Sequence, residues 1–60
     1  MMTAVMVTGA GTGIGRASAV RLAREGHAVL LVGRRREPLT ETLFLLDGEG
    51  HQVMAVDVSN

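Results

Sequence analysis

An α/β fold built on a parallel sheet is predicted by three features of the sequence. Short apolar runs at 4–7, 28–32 and 52–56 alternate with two stretches of helical spacing. Each of those stretches is long enough to return the chain across a sheet, so successive strands pair in parallel. The turn after the first run holds four glycines within T-G-A-G-T-G-I-G, Thr8 to Gly15. That is the chemistry of a strand-to-helix turn rather than of a hairpin.

The first strand spans Ala4 to Val7, where β-branched Val5 and Val7 flank Met6 and neither face is designed for water. A helix is predicted from about Ile14 to Arg24, with Ile14, Ala19, Leu22 and Ala23 on its apolar side and Ser18 on the same seam. Arg16, Arg21, Arg24 and Glu25 take its polar side, and Gly26 stands where a helix C-terminal glycine belongs. Ala28 to Val32, an unbroken AVLLV run, reads as a central strand covered on both faces. Pro38 suits the first turn of a second helix running to about Leu46, with Leu39, Leu43 and Leu46 at helical spacing. Asp47-Gly48 and Glu49-Gly50 form a turn, Gln52 to Val56 a third strand, and Asp57 stands at its end.

Two right-handed crossovers that progress in the same direction place both helices on one face of the sheet. The other face of AVLLV is then bare. The 60 residues are accordingly expected to be the N-terminal part of a single domain, with the catalytic portion absent; cover by a partner subunit is the alternative. There is no cysteine to staple so small a domain. Six basic and six acidic side chains balance, which argues against a nucleic-acid partner. No basic segment precedes the apolar start, and no apolar stretch is long enough to cross a membrane, so a cytoplasmic protein without a membrane partner is expected. His27 and His51 stand far apart without cysteine or carboxylate partners at a motif spacing, and no metal site is expected.

The glycine-rich turn lies between a strand and a helix, the context a phosphate-binding turn requires. Glycine permits a tight bend at positive φ and close approach of a pyrophosphate to the backbone. The helix N-terminus adds free N–H groups and partial positive charge. Thr12 is placed to add a hydroxyl near the phosphates, and Thr8 to brace the turn from within. The spacing is not G-x-G-x-x-G, and no Gly-Lys-Ser/Thr follows, which excludes a P-loop. What stands there is G-x-x-x-G-x-G, at Gly9, Gly13 and Gly15.

T-G-x-x-x-G-I-G just after a first strand resembles the classical short-chain dehydrogenase/reductase family, and the resemblance runs from the first strand to Asp57-Val58. It implies a Rossmann-type doubly wound parallel sheet, of which only the first β-α-β-α-β portion is present. It also implies that Gly9, Thr12, Gly13, Ile14 and Gly15 bind the cofactor. The family's Asp at the end of the third strand accepts a bond from the adenine amino group, and the next residue's backbone bonds the ring. Asp57 and Val58 match that pair; the competing reading is that Asp57 caps a following helix with Ser59 or Asn60.

A NAD-preferring site places an acid about 20 residues beyond the turn, where it binds the ribose hydroxyls. Here that position is Gly33, followed by Arg34, Arg35 and Arg36. A carboxylate would repel a 2′-phosphate, whereas an arginine fork suits it. Gly33 leaves room, and the resemblance makes Arg34 the residue that holds the phosphate, with Arg35 second. NADP is therefore expected over NAD. A solvated arginine face, or neutralisation by Glu37, is the competing reading, and Arg36 reads as solvated.

The resemblance implies hydride transfer between NADP(H) and a carbonyl or alcohol substrate, in a homodimer or homotetramer. Family members use Tyr, Lys, Ser and usually Asn for that step. This chain has no Tyr and no Lys, so no catalytic residue is carried over. The alternative is a non-catalytic NADP(H)-binding or sensing protein of the same fold, which would lack a later Tyr-x-x-x-Lys. A methyltransferase would want an acid near Gly33, and none is there.

Overall fold

The structure is a computed structural model and describes residues 4–56. Asp57 and Val58, assigned above to adenine, lie outside the described residues. The elements follow the expected order: β1 (Ala4–Thr8), α1 (Gly13–Arg24), β2 (Ala28–Gly33), α2 (Arg36–Leu45) and β3 (Gln52–Ala55). The strands pair in parallel in the order β1-β2-β3, so β2 is the middle strand, as its unbroken apolar run predicts. β3 stops one residue early, yet the Val56 N–H still donates to the Gly33 carbonyl at 2.8 Å.

The register fixes the two faces. Val5, Val29 and the row Val7, Leu31 and Val53 share one side, because paired residues of a parallel sheet point the same way. Val29 and Leu31 are buried, and with Ala10, Ala19, Ala23 and Leu39 they form the core, against which Val7, Leu22, Leu43, Leu46 and Val53 pack. Full burial of each large member stabilises by about 1.5–3 kcal/mol. Both helices therefore cover this one face. The opposite face carries Met6, Leu30, Val32 and Met54, with Met6 63% and Met54 48% exposed. Nothing among the described residues covers it.

α1 meets the sheet through Ala19 and Ala23, four residues apart and small enough to let the helix lie close. Three expectations for this helix are corrected. Ile14 is 87% exposed. It lies two and a half helical turns before Ala23, at about 3.6 residues per turn, which places it on the opposite side. Ser18 is exposed and is not on the seam. Arg16, expected on the polar side, is half-buried and reaches across to α2. The C-terminus follows expectation. Gly26 has φ +99°, its N–H donates to Ala23 O at 3.0 Å, and the His27 N–H donates to Leu22 O at 3.1 Å. This pair of bonds is a Schellman closure, and only glycine takes that φ without cost. His27, expected to be exposed, is half-buried.

In α2 the Leu39 side chain is buried and Phe44 is 83% exposed. His51 precedes β3 and works as a backbone substitute. Its Nδ1 accepts the Val29 N–H at 3.0 Å, and its Nε2 lies 2.6 Å from the Asp47 carbonyl. Since Nδ1 accepts, Nε2 must carry the proton and donate. The ring thus satisfies a strand N–H just beyond the reach of β3.

Candidate nucleotide-binding site

The turn from β1 into α1 is shaped by glycines with different duties. Gly9 and Gly13 have φ +64° and +57°, the left-handed region that side chains rarely adopt, and a Cβ on either would meet no protein atom within 4 Å. The space beside them is open to a ligand. Gly15 is different: a Cβ there would run into the Gly9 carbonyl, with Ala10 Cα 3.1 Å away. Its bare backbone lets the start of α1 lie against the turn. Gly11 stands outside the G-x-x-x-G-x-G pattern, and yet a Cβ on it would lie 2.7 Å from Pro38 Cβ. This close approach of the turn to α2 has no signature in the motif spacing.

Thr12 is the N-cap residue of α1, in extended conformation, and its side chain makes no capping bond. The Thr12 hydroxyl therefore does not cap the helix. There is no acid in the first turn of α1, so nothing in the helix neutralises its positive end. Thr8, expected as a brace, is exposed and forms no side-chain hydrogen bond among the described residues. The brace is Thr42, from α2, which donates to the Ala10 carbonyl at 2.8 Å.

An open cleft of about 440 Å³ runs from this turn to the end of β2. Gly9, Gly11 and Thr12 form one wall; Gly33, Arg34, Arg35, Pro38 and Leu39 form the other. The structure therefore brings together the glycine turn and the two arginines that the sequence singles out. Gly13, Ile14 and Gly15 are not among its lining residues; they begin α1 beside Thr12.

Arg34 and Arg35 are exposed, and the ion pair found among the described residues is Arg21–Glu25 at 3.2 Å, elsewhere on α1. Glu37 does not neutralise an arginine of the run. Arg36 is exposed and outside the cleft, as a solvated residue would be. Arg35 stands at the N-cap position of α2 without a side-chain capping bond, and Arg36 is the first helical residue. Cations at that end of a helix are unfavourable by roughly 0.3–1 kcal/mol each, since they meet the positive pole of the macrodipole. An anion bound there would relieve that cost.

Gly33 lines the cleft, and its Cβ direction meets Leu39. A Cβ on it would stand 2.9 Å from Leu39 Cδ2 and 3.4 Å from Leu39 Cγ. Leu39 is 1% exposed and belongs to the core. A side chain at this position would therefore have to displace Leu39.

The chain is similar to known proteins. A family model described as short chain dehydrogenase matches residues 3–60. The chain is 50% identical over 50 residues to a (3R)-3-hydroxyacyl-CoA dehydrogenase of Canis lupus familiaris, covering 83% of this chain and 19% of that protein. It is 39% identical over 59 residues to carbonyl reductase family member 4 of Danio rerio, covering 98% of this chain and 25% of the relative. Among solved structures, a citronellol catabolism dehydrogenase of Pseudomonas aeruginosa PAO1 superposes with a TM-score of 0.75 at 40% identity, over 92% of this chain and 23% of that one. The chain thus spans about a fifth to a quarter of the length of these relatives. Taken with the Rossmann-like β-α-β-α-β sheet and the glycine turn, the match shows that the chain belongs to the short-chain dehydrogenase family.

Proposed function

We propose that this chain is the adenosine-pyrophosphate-binding portion of an oxidoreductase that uses NADP(H) and acts on a carbonyl or alcohol substrate. The observation that carries the reading is the single cleft in which the start of α1, without a side-chain cap, and Arg34 and Arg35, in no ion pair among the described residues, face one ligand space. Gly9 and Gly13 fit the group, since the space that a Cβ would fill is open at both. When bound, the cofactor's nicotinamide carries the hydride.

The chain's own residues bind and orient. The first-turn N–H groups of α1 and the Thr12 hydroxyl take the pyrophosphate, with Ile14 beyond them on α1. Arg34 takes the 2′-phosphate, and Arg35 adds positive charge beside it. Asp57 and Val58 are assigned to adenine on the family resemblance. The relatives' names point to alcohols and carbonyls as the substrate class, and the family's usual assembly to a homodimer or homotetramer.

Arg34→Ala in the full-length protein tests the cofactor assignment. A charge-assisted hydrogen bond contributes about 1.5–3 kcal/mol, so the Kd for NADPH should rise about tenfold to a hundredfold. The Kd for NADH should change by less than about twofold, because NADH has no 2′-phosphate. Equal losses for both in a fluorescence titration would remove the phosphate assignment. Failure of the unsubstituted protein to bind either nucleotide would remove the cleft reading altogether.

A further inference from the structure

Thr42 is the buried polar side chain among the described residues, at 0% exposure. Two of its three partners, Ala10 and Arg16, are far away in sequence. The hydroxyl lies 2.8 Å from the Ala10 carbonyl and 3.1 Å from the Pro38 carbonyl, and it accepts from Arg16 Nε at 2.8 Å. A hydroxyl has one proton to give. Arg16 Nη2 already donates to the Pro38 carbonyl at 3.2 Å, so the Thr42 proton belongs to the shorter bond, to Ala10.

Ala10 is wholly buried in the middle of the glycine turn, and its N–H donates to the Val32 carbonyl at 3.2 Å. Its residue is therefore held on both sides, by β2 through the N–H and by α2 through the carbonyl. Arg16, in the second turn of α1, grips α2 at two points with one planar fork. Pro38 and Gly11, which touch across the gap, both line the cleft.

We propose that Arg16 and Thr42 form a brace that sets the separation of the two cleft walls, and that both are positioning residues for the nucleotide. The inference rests on the cleft reading above and extends it to two residues that the ligand does not touch. The glycine turn carries the pyrophosphate wall, and the first turn of α2 carries Arg35 and, just before it, Arg34. Without the Thr42 hydroxyl, the Ala10 carbonyl and one guanidinium N–H lose their partner together, and the walls lose their common anchor. A lysine at 16 keeps the charge but has no fork with which to hold Thr42 and Pro38 at once.

Three variants of the full-length protein test this by NADPH and NADH titration, with thermal unfolding measured alongside. Thr42→Val keeps the shape and removes the hydroxyl; it should raise the Kd for both nucleotides by about tenfold, the scale of one buried hydrogen bond. Thr42→Ser restores the hydroxyl and should return both values to within about twofold of the unsubstituted protein. Arg16→Lys should raise both by about fivefold. The equal effect on the two nucleotides separates the brace from Arg34, which discriminates between them. Unchanged affinities in folded Thr42→Val, whatever its melting temperature, would make the network purely structural and overturn the proposal. Should Thr42→Val fail to fold, unchanged affinity in Arg16→Lys, at a half-buried position, would overturn it instead. If the unsubstituted protein bound neither nucleotide, the cleft reading would fall first and the brace with it.

Discussion

Gly15→Ala should destroy nucleotide binding and destabilise the protein by about 3 kcal/mol, the upper end of the cost of overpacking. The added methyl would meet the Gly9 carbonyl and, at 2.7 Å, the Gly9 carbonyl carbon. Both belong to backbone, so no rotamer change can make room. Relief requires the first turn of α1 to move away from the glycine turn, which displaces the N–H groups meant for the pyrophosphate. Gly13→Ala is the useful comparison. Its Cβ meets nothing within 4 Å, so the protein bears only the strain of φ +57°, about 1–2 kcal/mol. Thermal or urea unfolding of the two full-length variants should rank them in that order. A Gly15→Ala protein with unchanged stability and NADPH affinity would contradict the packing of α1 on the turn.

On the proposed NADP(H) assignment, Gly33→Asp should weaken NADPH binding without creating good NADH binding. The carboxylate would repel a 2′-phosphate, and in electrostatic terms alone the change ought to favour the ribose hydroxyls of NADH. The Cβ, however, would press on Leu39 at 2.9 Å, and Leu39 is buried against the sheet. The methyl groups of Leu39 must shift or the strand end must tilt, at about 1–3 kcal/mol. Leu39→Ala removes the obstacle at its own cost, about 2–5 kcal/mol for a buried leucine. In the double variant the two losses should therefore sum to more than the measured loss, and the Kd for NADH should improve over Gly33→Asp alone. Strict additivity in unfolding, or efficient NADH binding by the single variant, would show that Leu39 does not govern this position.

Much of this arrangement is legible in the sequence, for physical reasons that differ by element. The strands announce themselves because parallel sheets demand runs such as AVLLV, and Gly26 because its φ of +99° admits little else. The cleft is legible where it depends on backbone freedom and local charge, as at Gly9, Arg34 and Arg35. Helix faces are harder. Ile14 is apolar and sits in a helix, yet its azimuth opposes Ala23, and type alone suggested the wrong side. Arg16 and Thr42 escaped notice because 26 residues separate them, and a polar type at a buried position has no periodic signal. The packing duties of Gly11 and Gly33 escaped for a similar reason: each is small beside a side chain of α2, Pro38 or Leu39, that only the folded chain brings near.

The uncovered face of the sheet also carries two reporters of its own condition. Met6 lies on β1 and Met54 on β3, one on each side of Leu30 and Val32. An accessible thioether is oxidised by peroxide to a polar sulfoxide, whereas a sheltered one is spared. The two sulfur atoms therefore straddle the width of the stripe, and their relative oxidation, read by peptide mass spectrometry, maps how far any covering segment extends across it.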